Sequence, residues 1–255
     1  MKKWDDVVKK ADALLKKNKY EQAYDLYLEA AMALDPRALR RLADMYYCGQ
    51  YLRKDYKKAY EYYKLLAEQK DLEAMDKVVN MTFMLRDEKG YMKSIGEYED
   101  DEMIIDYLTY LSEQGDLKAL IALGDEYKLG ISVERNISKA IELFKKAVEM
   151  GEPFGNELLG ELYFEGEYIE IDYEKAFEYF SKNPKLQMAT IYHLAYMYDH
   201  GFGTQPNTEK AIELYKDFMK RYEDDLELMK TLEINTMEDE FYIAAKKRLI
   251  ELEKG

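Results

Sequence analysis

The hydrophobic positions of this chain recur in a fixed frame. When four stretches are aligned on Ala38, Ala119, Gly155 and Thr190, the fourth position on is leucine (Leu42, Leu123, Leu159, Leu194). The fifth is small (Ala43, Gly124, Gly160, Ala195) and the eighth is tyrosine (Tyr46, Tyr127, Tyr163, Tyr198). That spacing places all three on one face of a helix. Glycine follows at the eleventh position (Gly49, Gly130, Gly166, Gly201), where a helix C-cap often needs left-handed backbone. Asp or Asn at the seventeenth (Asp55, Asn136, Asp172, Asn207) predicts the N-cap of a second helix. Alanine at the twenty-first (Ala59, Ala140, Ala176, Ala211) and an aromatic at the twenty-fifth (Tyr63, Phe144, Phe180, Tyr215) share a face of that second helix. The pattern predicts helix–turn–helix units with a period of about 36 residues.

Two further copies are degenerate. In the first, Tyr20, Ala23 and Tyr27 match the second helix, with a shorter turn around Asn18. Another starts at Ala74 and carries about ten extra residues in the stretch Leu85–Glu99; its second helix begins at Asp101, with Ile105 expected in the alanine column. The expected layout is a single repeat domain over 1–255, with units at about 4–36, 37–72, 73–117, 118–153, 154–188 and 189–223 and capping helices over 224–255. The stretch Thr236-Met237-Glu238-Asp239 has a capping-box-like start. Pro36, Pro153 and Pro184 fall at unit junctions and Pro206 before an N-cap, so none interrupts a predicted helix.

The pattern A-x3-L-G-x2-Y-x2-G followed by D/N-x3-A-x3-F/Y resembles the Sel-one-like repeat, a longer-looped relative of the tetratricopeptide repeat. Its cleanest copy is ALIALGDEYKLGISVERNISKAIELFKKAVEMG at 119–151, and the resemblance covers about residues 4–223. It implies an all-α fold, a right-handed α-α superhelix whose first helices line a concave groove and whose second helices form the convex back. It also implies a scaffold or adaptor role in protein complexes. Secreted members of the family often carry a cysteine pair in each repeat; with Cys48 alone, the disulfide-stapled, exported form is not expected here.

Composition narrows the reading. The formal net charge is -14, which argues against nucleic acid as a partner. A single cysteine excludes an intramolecular disulfide and fits a reducing compartment. The start MKKWDDVVKKAD has no apolar segment of a signal peptide. The longest run without Asp, Glu, Lys or Arg is 13 residues, Leu186 to Tyr198, short of the roughly 18 a membrane span needs. No membrane association and a cytoplasmic location are the expectations.

Candidate chemistry is sparse. His193 and His200 stand seven residues apart on one helix, about 10.5 Å along its axis, too far to share one metal. Cys48 has no histidine in its own unit to act as a base. Gly201-Phe202-Gly203 lacks the strand and lysine of a phosphate loop. The carboxylate runs Glu97–Glu102 and Glu223–Glu227 lack calcium-loop spacing and read as solvated faces or helix starts. No catalytic residue, cofactor or metal is expected.

A protein or peptide partner is. In tetratricopeptide geometry Tyr47, Phe164 and Tyr196 fall on inner-helix positions, where groove aromatics act as anchors. Inner-face charges run from Arg37 and Arg40, through Asp125 and Lys128, to Glu157, Glu161 and Asp199. The C-terminal half of the groove is therefore expected to be acidic and suited to a basic partner. Two roles remain open, an interaction scaffold and an inhibitor or immunity protein that neutralises a cognate basic toxin; an enzyme is the third.

Overall fold

The structure, a computed structural model, describes residues 2–85, 91–92, 97–98, 101–182, 187–231 and 240–254. It contains two compact units, Met1–Arg135 and Asn136–Gly255. The first holds α1 (Lys2–Leu15), α2 (Tyr20–Ala31), α3 (Pro36–Cys48), α4 (Tyr56–Ala67), α5 (Leu72–Leu85), α6 (Asp101–Glu113) and α7 (Leu117–Leu129). The second holds α8 (Ile137–Glu149), α9 (Phe154–Glu165), α10 (Tyr173–Ser181), α11 (Met188–His200), α12 (Thr208–Thr231) and α13 (Glu240–Leu252). Within each unit every helix packs on the next in sequence, as expected of an α-solenoid built from helix hairpins.

Each repeat position has the predicted local cause. Gly49, Gly130, Gly166 and Gly201 close the first helices with φ of 68°, 70°, 65° and 72°, a region that costs glycine little. The side chains of Asp55, Asn136, Asp172 and Asn207 accept from the amides of Lys58, Lys139, Lys175 and Lys210 at 3.0–3.1 Å. The amides of Asp55, Asp172 and Asn207 also donate to the carbonyls of Tyr46, Tyr163 and Tyr198 at 3.0, 2.9 and 2.8 Å. The tyrosine position therefore anchors the turn by its backbone as well as packing by its ring. The alanine and aromatic columns of the second helices are buried in all four copies. At Gly160 any Cβ would lie 2.5 Å from the Phe180 ring, so only glycine lets α9 and α10 approach this closely.

Three details differ from the expectation. In α6 the buried pair is Ile104 and Leu108, not Ile105, so the insertion is one residue shorter in register than expected. Within that insertion Tyr91–Met92 and Glu97–Tyr98 form a short antiparallel ribbon, β1 and β2, in an otherwise helical fold. The last repeat's second helix does not stop near Glu223; α12 runs on to Thr231. Pro184 and the Thr236–Asp239 stretch lie outside the described residues.

Candidate partner-binding surface

In the first unit, the predicted cations are already engaged. Arg37 pairs with Asp5 and with Asp35 at 3.0 Å. Arg40 pairs with Asp71 at 2.6 Å and Glu73 at 2.8 Å. Burial pushes the Asp71 carboxyl up, but the Arg40 guanidinium and the Ala74 amide outweigh it and hold the group below the usual carboxylate range. Both arginines border a cleft of about 690 Å³ together with Lys9, Arg41 and the acids Asp12, Asp44 and Asp71. Tyr47 packs edge-on to Tyr56 and Tyr63, 5.7 and 6.3 Å between centroids, and Lys77 from α5 lies over its ring. Asp125 and Lys128 sit 3.6 Å apart on α7; burial raises the Asp125 carboxyl, with the lysine opposing.

In the second unit, the predicted acidic patch is corrected. Glu157 is only 4 % exposed. Its Oε2, the Thr190 hydroxyl and His193 Nδ1 are all buried without a hydrogen bond. Desolvation raises the Glu157 carboxyl; Thr190 opposes this without reaching bonding geometry. The Asp199 side chain is 2 % exposed and takes two bonds from Arg248 of α13, at 2.7 and 2.9 Å. The i, i+4 stripe placed Glu157 and Glu161 on one face, but α9 is covered more widely there than one stripe allows. Glu161 is half-buried and Glu165 exposed.

The aromatic half of the prediction is brought together. Phe164 lies 4.8 Å from His193 and 6.1 Å from Tyr196 between centroids, joining α9 to α11. Tyr196 stacks on His200 at 4.1 Å, and Phe202 follows at 5.6 Å from His200. His193 stacks on Phe180 at 5.1 Å, and burial pushes it down to about 4. Beside this face opens a cavity of about 240 Å³ walled by Tyr192, His193, Phe218, Tyr222 and Phe241. The sequence reading missed the cavity. Part of its signal was there as the i, i+4 aromatic pair Phe218 and Tyr222.

The Sel1 repeat matches residues 12–33, 36–71, 117–152, 153–182 and 190–216, more than half of the chain. The chain belongs to the Sel1 repeat family. The match passes over the unit that carries the insertion, where the frame is degenerate. Among solved structures, a Sel1 repeat protein from Oxalobacter formigenes aligns with a TM-score of 0.55 at 24 % identity, covering 84 % of each chain. A protective antigen of uropathogenic Escherichia coli with the same repeat fold aligns with a TM-score of 0.61 at 21 % identity, covering 90 % of this chain and 49 % of that one. Among curated proteins, the ERAD-associated E3 ubiquitin-protein ligase component HRD3A of Arabidopsis thaliana is 39 % identical over 75 residues, 29 % of this chain and 11 % of its own length. The matched segments span 11–26 % of the length of the curated relatives. Sel1-repeat proteins are generally protein-interaction scaffolds. Among the described residues, no helix is long and apolar enough to cross a membrane, and no group of three or more His, Cys, Asp or Glu is placed to hold a metal.

Proposed function

We propose that this Sel1-repeat chain is a non-enzymatic, cytoplasmic interaction scaffold that binds a basic protein or peptide through the aromatic face of its second unit. The observation that carries the reading is the continuous run of rings, half-buried except for the exposed His200, from Phe164 through His193 and Tyr196 to His200 and Phe202. Rings of this kind supply contact area at low entropic cost and dominate interface energetics. The second unit holds 25 Asp and Glu against 15 Lys and Arg, a net -10 of the chain's -14. With Glu157 and Asp199 withdrawn from the surface, that charge acts as diffuse steering and not as a defined acidic patch.

An inhibitor that covers a basic toxin would use the same face, and the same acid excess favours it. The test is equilibrium binding of a captured partner to the parent and to two variants. Tyr196→Ala with His200→Ala should weaken binding at least tenfold, whereas Lys145→Glu on the exposed side of α8 should not. Equal loss in both, or in neither, would remove the aromatic face as the site. If the partner has a lethal activity that the chain suppresses, the inhibitor role is the one performed.

A further inference from the structure

The cavity beside the aromatic face has a chemistry of its own. At about 240 Å³ it is smaller than the roughly 300–1,000 Å³ of small-molecule sites. It is larger than the roughly 150 Å³ that accepts a benzene ring. That is the size for one side chain of a partner. Its rings are arranged as walls. Tyr192 meets Phe241 at 65° and 4.9 Å, Phe218 at 55° and 5.5 Å, and His193 at 70° and 6.0 Å. Phe241, 53 % exposed, forms the rim.

Among the described residues, no lining side chain is charged. Burial keeps the His193 imidazole neutral down to about pH 4, so it contributes another π face and no repulsion of a cation. Just outside the lining, Glu223 accepts a hydrogen bond from Tyr242 at 2.8 Å, and Tyr242 stacks on Tyr222 at 4.5 Å. The surrounding unit carries the net -10.

We infer that this cavity is an aromatic cage for the guanidinium of an arginine on the partner. Faces of Tyr and Phe attract an organic cation within about 6 Å, and more so when water is excluded. A lysine ammonium would lose a tight hydration shell that ring faces do not replace, while guanidinium is weakly hydrated and stacks on rings. An uncharged apolar anchor would fill the space but gain nothing from the acid excess. The inference rests on the proposed function, since it names the chemistry of the side chain that the scaffold would receive.

The test needs no partner. Ethylguanidinium and its neutral isostere ethylurea are titrated separately onto the isotope-labelled full chain, and amide shifts are followed by NMR. Ethylguanidinium should give saturable shifts at Ala189, His193 and Phe241, and ethylurea should not at the same concentrations. Phe241→Leu, which keeps an apolar rim and removes the ring, should weaken ethylguanidinium by about 2- to 30-fold. Equal binding of ethylurea would make the cavity merely apolar and overturn the inference. So would shifts spread over the acidic surface that vanish with salt and ignore Phe241→Leu, or no shifts at all. If ethylguanidinium fails while a natural partner still depends on Tyr196 and His200, the arginine cage falls and the scaffold reading stands.

Discussion

Asp199 and Arg248 are joined by two hydrogen bonds, at 2.7 and 2.9 Å, that tie α11 to α13. The carboxylate is 2 % exposed, the guanidinium 39 %. A partly exposed arginine facing a buried acid means that the two ends of this pair respond differently to mutation. Arg248→Leu leaves a buried charge without its partner and should cost about 1.5–3 kcal/mol, the range for hydrogen bonds to charged groups. Arg248→Lys should recover only part of this, because an ammonium cannot form the planar fork. Urea unfolding of the two variants checks the order; identical stabilities would mean that the pair is cosmetic.

The contact of Gly160 with Phe180 should be intolerant of any side chain. A Cβ at 160 would stand 2.5 Å from the ring, and Phe180 is fully buried. Gly160→Ala should destabilise by about 1–3 kcal/mol despite the better helix propensity of alanine. Ala176→Leu, at a fully buried column position, should fall in the same range. A melting temperature at or above the parent's in Gly160→Ala would show that α9 and α10 are not this close.

Two buried tyrosines of the first unit anchor to carboxylates. Tyr63 donates to Asp44 at 2.6 Å and Tyr27 to Asp12 at 2.6 Å. Burial, then the hydrogen bond to the acid, raises both phenols well above their ordinary range. Tyr63→Phe should cost about 1–2 kcal/mol, since the half-exposed Asp44 can regain water. Chemical denaturation measures this, and a gain in stability would refute the role of the bond.

The pH dependence of the second unit should contain two opposing parts. The folded state binds the His193 proton less tightly than the unfolded chain, so its share of stability rises with pH between about 4 and 6.5. The folded state binds the Glu157 proton more tightly, so its share falls as pH rises through and above the ordinary value of 4.5. His193→Phe should therefore flatten the loss toward pH 4, which in the parent amounts to on the order of 3 kcal/mol. Glu157→Gln should be more stable than the parent at pH 7, with the gain shrinking as pH falls toward the ordinary value of 4.5. Glu157→Lys, at first sight a surface charge reversal, should unfold the unit because it buries an unpaired cation.

The repeat frame was legible because each column has a local cause that sequence displays: a glycine for left-handed backbone, a short polar side chain for a cap, an alanine where helices cross. The candidate surface was legible only in part. Phe164 and Tyr196 were found because inner-face position and ring chemistry coincide. Glu157 and Asp199 were misread because charge in a sequence does not say whether a distant helix covers it, and Arg248 stands 49 residues from its acid. The Ile104 register slipped for the same reason as the ribbon at Tyr91–Tyr98: an insertion breaks the period that fixed everything else. The cavity depends on Phe241, which lies beyond the last repeat, where no frame points to it.

Hydrogen–deuterium exchange of the full chain, alone and bound to its captured protein partner, tests the central claim most directly. The account predicts protection concentrated in α9, α11 and the start of α13, around Phe164, His193, Tyr196 and Phe241. Protection confined to the exposed sides of α8, α10 and α12, or to the first unit alone, would contradict it.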